Sequence, residues 1–135
     1  MAQLTGHFDI TTTGISRGGL PPLDGNYNSK IMDAFGRSYH PILDTWEYHS
    51  VHLNRGGCAE FEAISAYLFE IEKLHNIKIK SFEDAIPYTK GTKIQTIRFS
   101  DFTPMDPCGS DFRKGSHAGC FHLLNELGIF YVKEL

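Results

Sequence analysis

Cysteine is scarce in this 135-residue chain: Cys58, Cys108 and Cys120 are the only three. An odd count in a chain this small is not a disulfide framework. No apolar run approaches the roughly 20 residues that cross a bilayer as a helix, which argues against membrane insertion. The opening MAQLTGHFDITTTG has neither a basic start nor an apolar core segment, so no secretory signal is visible. Positive charge is short too. Thirteen Lys and Arg against sixteen Asp and Glu leave a net charge of -3. That weighs against a high-affinity nucleic-acid binder, whose affinity comes largely from phosphate neutralisation. A local basic groove stays open, because Arg55, Arg98, Arg113 and Lys114 lie close to the motifs below. Repeats, low-complexity tracts and interdomain linkers are also missing. The length suits one domain, residues 1–135, with a single core.

What is present reads as strand, helix, helix, strand, helix, strand. FDITTTGIS, residues 8–16, is β-rich. RGGLPPLDGN, 17–26, is a loop by its glycines and prolines, and YNSKIMDAFG, 27–36, a short helix ending at Gly36. The aromatic and His-rich stretch 37–57 has little clear period and is expected to be irregular. CAEFEAISAYLFEIEKL, 58–74, is the clearest helix, with Phe61, Ile64, Leu68 and Ile71 on one stripe and Tyr67 and Leu74 alongside. FEDAI is expected to be a solvated turn or helix end. KIQTIRFS, 93–100, makes a central strand and DFRKGSHAG, 111–119, a loop. A second amphipathic helix follows, with Ser116 as N-cap candidate, Cys120, Leu123, Leu124 and Leu127 on one face and Gly128 at its stop. IFYVKEL closes the chain as a strand. The pattern is α/β, with helices packed on a sheet.

The stretch GGCAEFEAIS, 56–65, crowds a thiol and a carboxylate into a helix's first turn. At about 100° per residue, Glu60 falls over Ile64, Tyr67 and Ile71 on the buried side, whereas Glu62, Glu70, Glu72 and Lys73 fall largely away from it. A buried carboxylate is costly without a partner, so Glu60 needs a reason to be there. Cys58 opens this helix and Cys120 lies in the first turn of another, where backbone N–H groups and the dipole favour thiolate. Together with Cys108 they make a soft donor set suited to Zn2+. Three protein ligands leave a fourth position for water, and Glu60 is placed to take and return its proton. The plain alternative is three buried, inert thiols.

Cys58-Ala59-Glu60, then Pro107-Cys108, then Cys120 resembles the signature of the zinc-dependent cytidine deaminase-like superfamily. More narrowly, ITTTGIS followed by GGLPPL, and NRGGCAEFEAIS, are similar to bacterial polymorphic-toxin deaminase domains of the YwqJ-like branch. The resemblance implies Zn2+ held by Cys58, Cys108 and Cys120, with Glu60 as catalytic proton shuttle. It implies a three-layer fold, a mixed central sheet flanked by helices. It further implies hydrolytic deamination of a nucleobase, cytosine in DNA or RNA first, by an effector delivered to a target-cell cytoplasm and restrained by a cognate immunity protein. Eleven residues separate Cys108 from Cys120, where the family usually spaces two. His117 is therefore the alternative third ligand. Arg113 and Lys114 in that loop would suit a substrate phosphate, and Asn54 a ribose or base edge. His49 and His52 read as loop histidines, and Trp46, Tyr88 and Phe102 as core aromatics before base-stacking platforms. Two rivals are a free cytidine deaminase of metabolism and a zinc-stabilised binding module without turnover.

Overall fold

The structure is a computed structural model, and it describes residues 1–15, 39–45, 59–98, 101–105 and 120–132. Its elements run β1 (Ala2–Thr5), β2 (Thr11–Gly14), a 3-10 helix (Pro41–Thr45), α1 (Ala59–His75), α2 (Phe82–Thr89), β3 (Lys93–Ile97), β4 (Pro104–Met105), α3 (Cys120–Leu127) and β5 (Phe130–Tyr131). β1 pairs antiparallel with β2 and with β3. On its far side β3 takes β4 antiparallel at Thr96 and Ile97, and β5 parallel at Lys93 and Ile94. The sheet is therefore mixed and helices pack against it, as expected of an α/β chain. The finer three-layer assignment is not carried by the described residues.

Strand alternation decides which face is covered. Ala2 and Leu4 of β1, Thr12 and Gly14 of β2 and Ile94 of β3 are buried, while Thr5, Thr11, Thr13 and Lys93 face outward. Against the buried set lies the α1 stripe of Phe61, Ile64, Leu68 and Ile71, with Tyr67, and one core cluster joins them to Leu123, Leu124 and Leu127 of α3. Leu74, placed alongside that stripe in sequence, is instead 54 % exposed.

Two contacts hold α1 close to the sheet edge. The Thr12 hydroxyl donates to the Ala63 carbonyl at 2.7 Å. At Gly14 a methyl group would meet the Ala59 carbonyl oxygen at 2.1 Å, so only glycine admits the helix backbone there. α1 ends where Asn76 takes a left-handed φ of 52° and Ile77 N–H reaches back to the Glu72 carbonyl. α3 ends in the same way, with Gly128 at φ 70° and Ile129 N–H on the Leu124 carbonyl, as the sequence suggests.

The stretch FEDAI is part of a helix rather than a solvated turn. The Ser81 hydroxyl caps α2 by accepting from Asp84 N–H at 3.2 Å, and Asp84 reaches back to Lys80 N–H. Phe102, expected in the core, is 70 % exposed at a turn position with φ 58°. Tyr88 packs partly buried against the core. The expectations for 17–36, for 111–119 and for Trp46, His49 and His52 lie outside the described residues.

Candidate functional site

Glu60 sits in the first turn of α1, 4 % exposed, as the helical phase requires. Its Oε1 accepts a hydrogen bond from the Thr96 hydroxyl of β3 at 3.0 Å. That contact supplies a partner for a carboxylate on the buried side and ties the helix start to the central strand. Glu62, expected away from the stripe, is 1 % exposed. β2 lies on that side, with the Glu62 Cβ 2.8 Å from where a Gly14 methyl would stand. Cys58, Cys108, Asn54, Arg113, Lys114 and His117 lie outside the described residues, and Cys120 is the first residue of α3.

Among the described residues no group of three or more His, Cys, Asp or Glu comes together in a way that could hold a metal ion. No protein-family model, no curated protein and no solved structure matches the chain. The resemblance to zinc-dependent deaminases is therefore corrected. With it go Zn2+ as cofactor, C–N hydrolysis of a nucleobase with Glu60 as proton shuttle, and the identity of a toxin effector with an immunity protein. The two rivals, a metabolic cytidine deaminase and a zinc-stabilised module, fall with the metal they both need. A nucleic-acid substrate and delivery to a target cell were consequences of the resemblance alone.

A second polar group in the core was not legible in the sequence. His40 is 2 % exposed and lies against the Phe69 ring, with centroids 4.9 Å apart. Its Nδ1 accepts Ile42 N–H at 3.3 Å, so Nε2 carries the ring proton and stands 3.1 Å from Glu72 Oε2. Burial pushes its pKa below the usual histidine value, against the opposing pull of Glu72. The Ser65 hydroxyl accepts His40's backbone N–H at 2.7 Å rather than facing the ring. This is not a nucleophile beside a base. Nδ1 is taken by the main chain and Nε2 faces the Glu72 carboxylate, and with the Ser65 bond the group fastens the 3-10 segment to α1.

The surface that remains is the β2 edge. The bond from Gly6 N–H to the Ile10 carbonyl sets the alternation of the β1–β2 ladder. Thr12, opposite Leu4, belongs to a hydrogen-bonded pair, so Thr11 and Thr13 turn their N–H and C=O groups away from β1. Among the described residues nothing pairs with this edge. The turn leading into it holds Phe8 at φ 59° and Asp9 at φ 60°, a backbone that usually selects Asn-Gly. Phe8 is nonetheless held in place. Its ring meets His75 edge-on at 4.8 Å, and the preceding His7 bonds the Lys90 carbonyl through Nε2 and the Tyr67 hydroxyl through its N–H.

Between this edge and α1 lies a cleft of ≈ 430 Å³, lined by Asp9, Ile10, Thr12, Ala66 and Glu70 among others. A second, of ≈ 360 Å³, continues over Phe8, Ile10, Glu70, Lys73 and Leu74. Asp9 and Glu70 have no hydrogen-bond or ion-pair partner among the described residues. The signals for this site were the β-branched run ITTT and the polar Glu70 on α1. Which edge stays unpaired among the described residues follows from pairings between β1 and β3 that no local pattern encodes.

Proposed function

We propose that the chain is a binding module that takes an extended polypeptide segment as an added strand on β2. The observation that carries this reading is the outward main chain of Thr11 and Thr13, two donors and two acceptors, beside the clefts along α1. An exposed edge of this kind is a template for another strand. Strand addition draws affinity from main-chain hydrogen bonds and specificity from alternate side chains seated in neighbouring pockets. The β2 edge offers both.

The test is a selection of random heptapeptides displayed on phage against the immobilised full chain, followed by binding of the enriched peptides to wild type and to Thr13→Pro. Proline is tolerated on an edge strand where the N–H points outward, so the variant removes an edge donor and leaves the β1 ladder intact. A melting point close to wild type checks that it folds. The expected result is binding weaker by at least about tenfold in the variant, with the Thr11 and Thr13 amides gaining exchange protection on peptide binding. Equal binding by the variant refutes the reading. So does protection of both amides in the free protein, which would assign the edge to the chain's own segment. A dimer that Thr13→Pro dissociates would assign it to a second copy, with the same consequence.

A further inference from the structure

Resting on the strand-addition reading, we infer that the bound segment carries a lysine or arginine opposite Thr12 and an apolar residue opposite Ile10. Directly paired residues of neighbouring strands point to the same face of a sheet. Thr12 points to the α1 face, where its hydroxyl reaches the Ala63 carbonyl. The side chain paired with it therefore enters the ≈ 430 Å³ cleft between β2 and α1.

The chemistry of that cleft is graded. Ala66 is buried and small, and with Ile10 it provides an apolar wall. Asp9 and Glu70, the charged groups lining the same space, have no described partner. A long side chain with a hydrocarbon stem and a cationic head matches this sequence of surfaces, the stem against Ala66 and Ile10 and the head at the carboxylates. A carboxylate in the same place would face two like charges. A purely apolar side chain would take water from Asp9 and Glu70 and return nothing.

The neighbouring cleft is different. Phe8 and Leu74, 55 % and 54 % exposed, line it with Ile10, and Lys73 stands there beside Glu70, which lines both clefts. The same-face neighbour of the cationic residue lies two positions along, opposite Ile10, and meets Phe8 and Leu74. An apolar residue fits that place, against the exposed faces of Phe8 and Leu74, where Lys73 offsets the charge of Glu70. The recognised pattern is thus a basic residue and an apolar one separated by a single position.

The probes are three blocked heptapeptides, Thr-Val-Thr-X-Thr-Leu-Thr, with X as lysine, norleucine or glutamate, titrated into the full chain and followed through its amide resonances. The lysine peptide should bind at least about tenfold tighter than the glutamate peptide, with norleucine between. The lysine-to-glutamate ratio should fall below about threefold in the double variant D9N/E70Q, and it should shrink as salt rises. Equal affinities of the lysine and glutamate peptides, with binding still lost in Thr13→Pro, would overturn the basic-residue assignment and leave strand addition standing. A lysine preference that survives in D9N/E70Q would overturn it as well. Failure of all three peptides to bind would remove both.

Discussion

Replacing Gly14 with alanine tests whether the close seat of α1 on β2 holds this part of the fold together. The added methyl would lie 2.1 Å from the Ala59 carbonyl oxygen and 2.7 Å from the Ala63 amide nitrogen. Both are backbone atoms inside the helix's first turns, so no side chain can swing aside. An ordinary contact is about 3.5 Å or more, and α1 must retreat by roughly 1 Å. That movement stretches the 2.7 Å bond from the Thr12 hydroxyl to the Ala63 carbonyl beyond hydrogen-bond range. Overpacking costs about 1–3 kcal/mol and the lost bond about 1 kcal/mol, for a total near 3 kcal/mol. In a chain of this size that lowers the melting temperature by roughly 10 °C. Gly91→Ala is the control. Its φ of 85° strains an alanine, but the nearest atom to the new methyl is a His7 ring carbon at 3.8 Å. Backbone strain alone costs roughly 1–2 kcal/mol. Thermal and urea denaturation of both variants decide the matter. A Gly14→Ala protein within about 1 kcal/mol of wild type, or one more stable than Gly91→Ala, would refute the close-approach argument.

Two further outcomes follow from the core and from α2. His40 has a folded pKa below its unfolded one, through burial first and Lys78 last, opposed by the Glu72 carboxylate, so its contribution is fully present above about pH 6.5 and is lost as pH falls from there towards the folded pKa; urea midpoints should fall between pH 7.5 and 5.5 by an amount worth no more than about 1.4 kcal/mol for each pH unit below 6.5, and a His40→Gln variant that keeps the same acid slope would refute this. Ser81→Ala removes the N-cap of an eight-residue helix that already carries Pro87, and should cost about 1 kcal/mol, read as faster exchange of the α2 amides with β1 and β3 unchanged.

How much of this was legible depends on whether the determinant is local. α1 and α3 announce themselves by spacing, α3 also by Gly128, and β3 by its β-branched and apolar run. Glu60 was correctly placed on the buried side because a helix phase is a local property. α2 was legible only as a solvated turn or helix end, because Pro87 lies inside it. The signal that outweighs that proline is the Ser81–Asp84 cap. β1 was missed because only Ala2 and Leu4 alternate inward in four residues. β4, two residues long, has no period to read. The metal assignment failed at a different level. Spacing along the chain states which donor types are available, but convergence on one point is a property of the tertiary fold.

The same distinction explains why the functional surface moves from one end of α1 to the other. Glu60 and Glu62 are two residues apart, so they point about 200° from each other around the helix. Both are buried, one towards Thr96 of β3 and the other beside Gly14 of β2. A helix turn whose opposite sides each carry a buried carboxylate is enclosed on both, and Glu60 fastens it to β3 through the Thr96 hydroxyl. Along the next turns enclosure falls away. Phe69 and Glu70 are half-buried, and Lys73, Leu74 and His75 are exposed. Charge and apolar surface become accessible there, next to the Phe8–Asp9 turn and the main chain of Thr11 and Thr13, which no described strand pairs. An acidic residue at the start of this helix is therefore evidence about how the helix is anchored, whereas Glu70, ten residues further on, is the carboxylate placed to meet a partner.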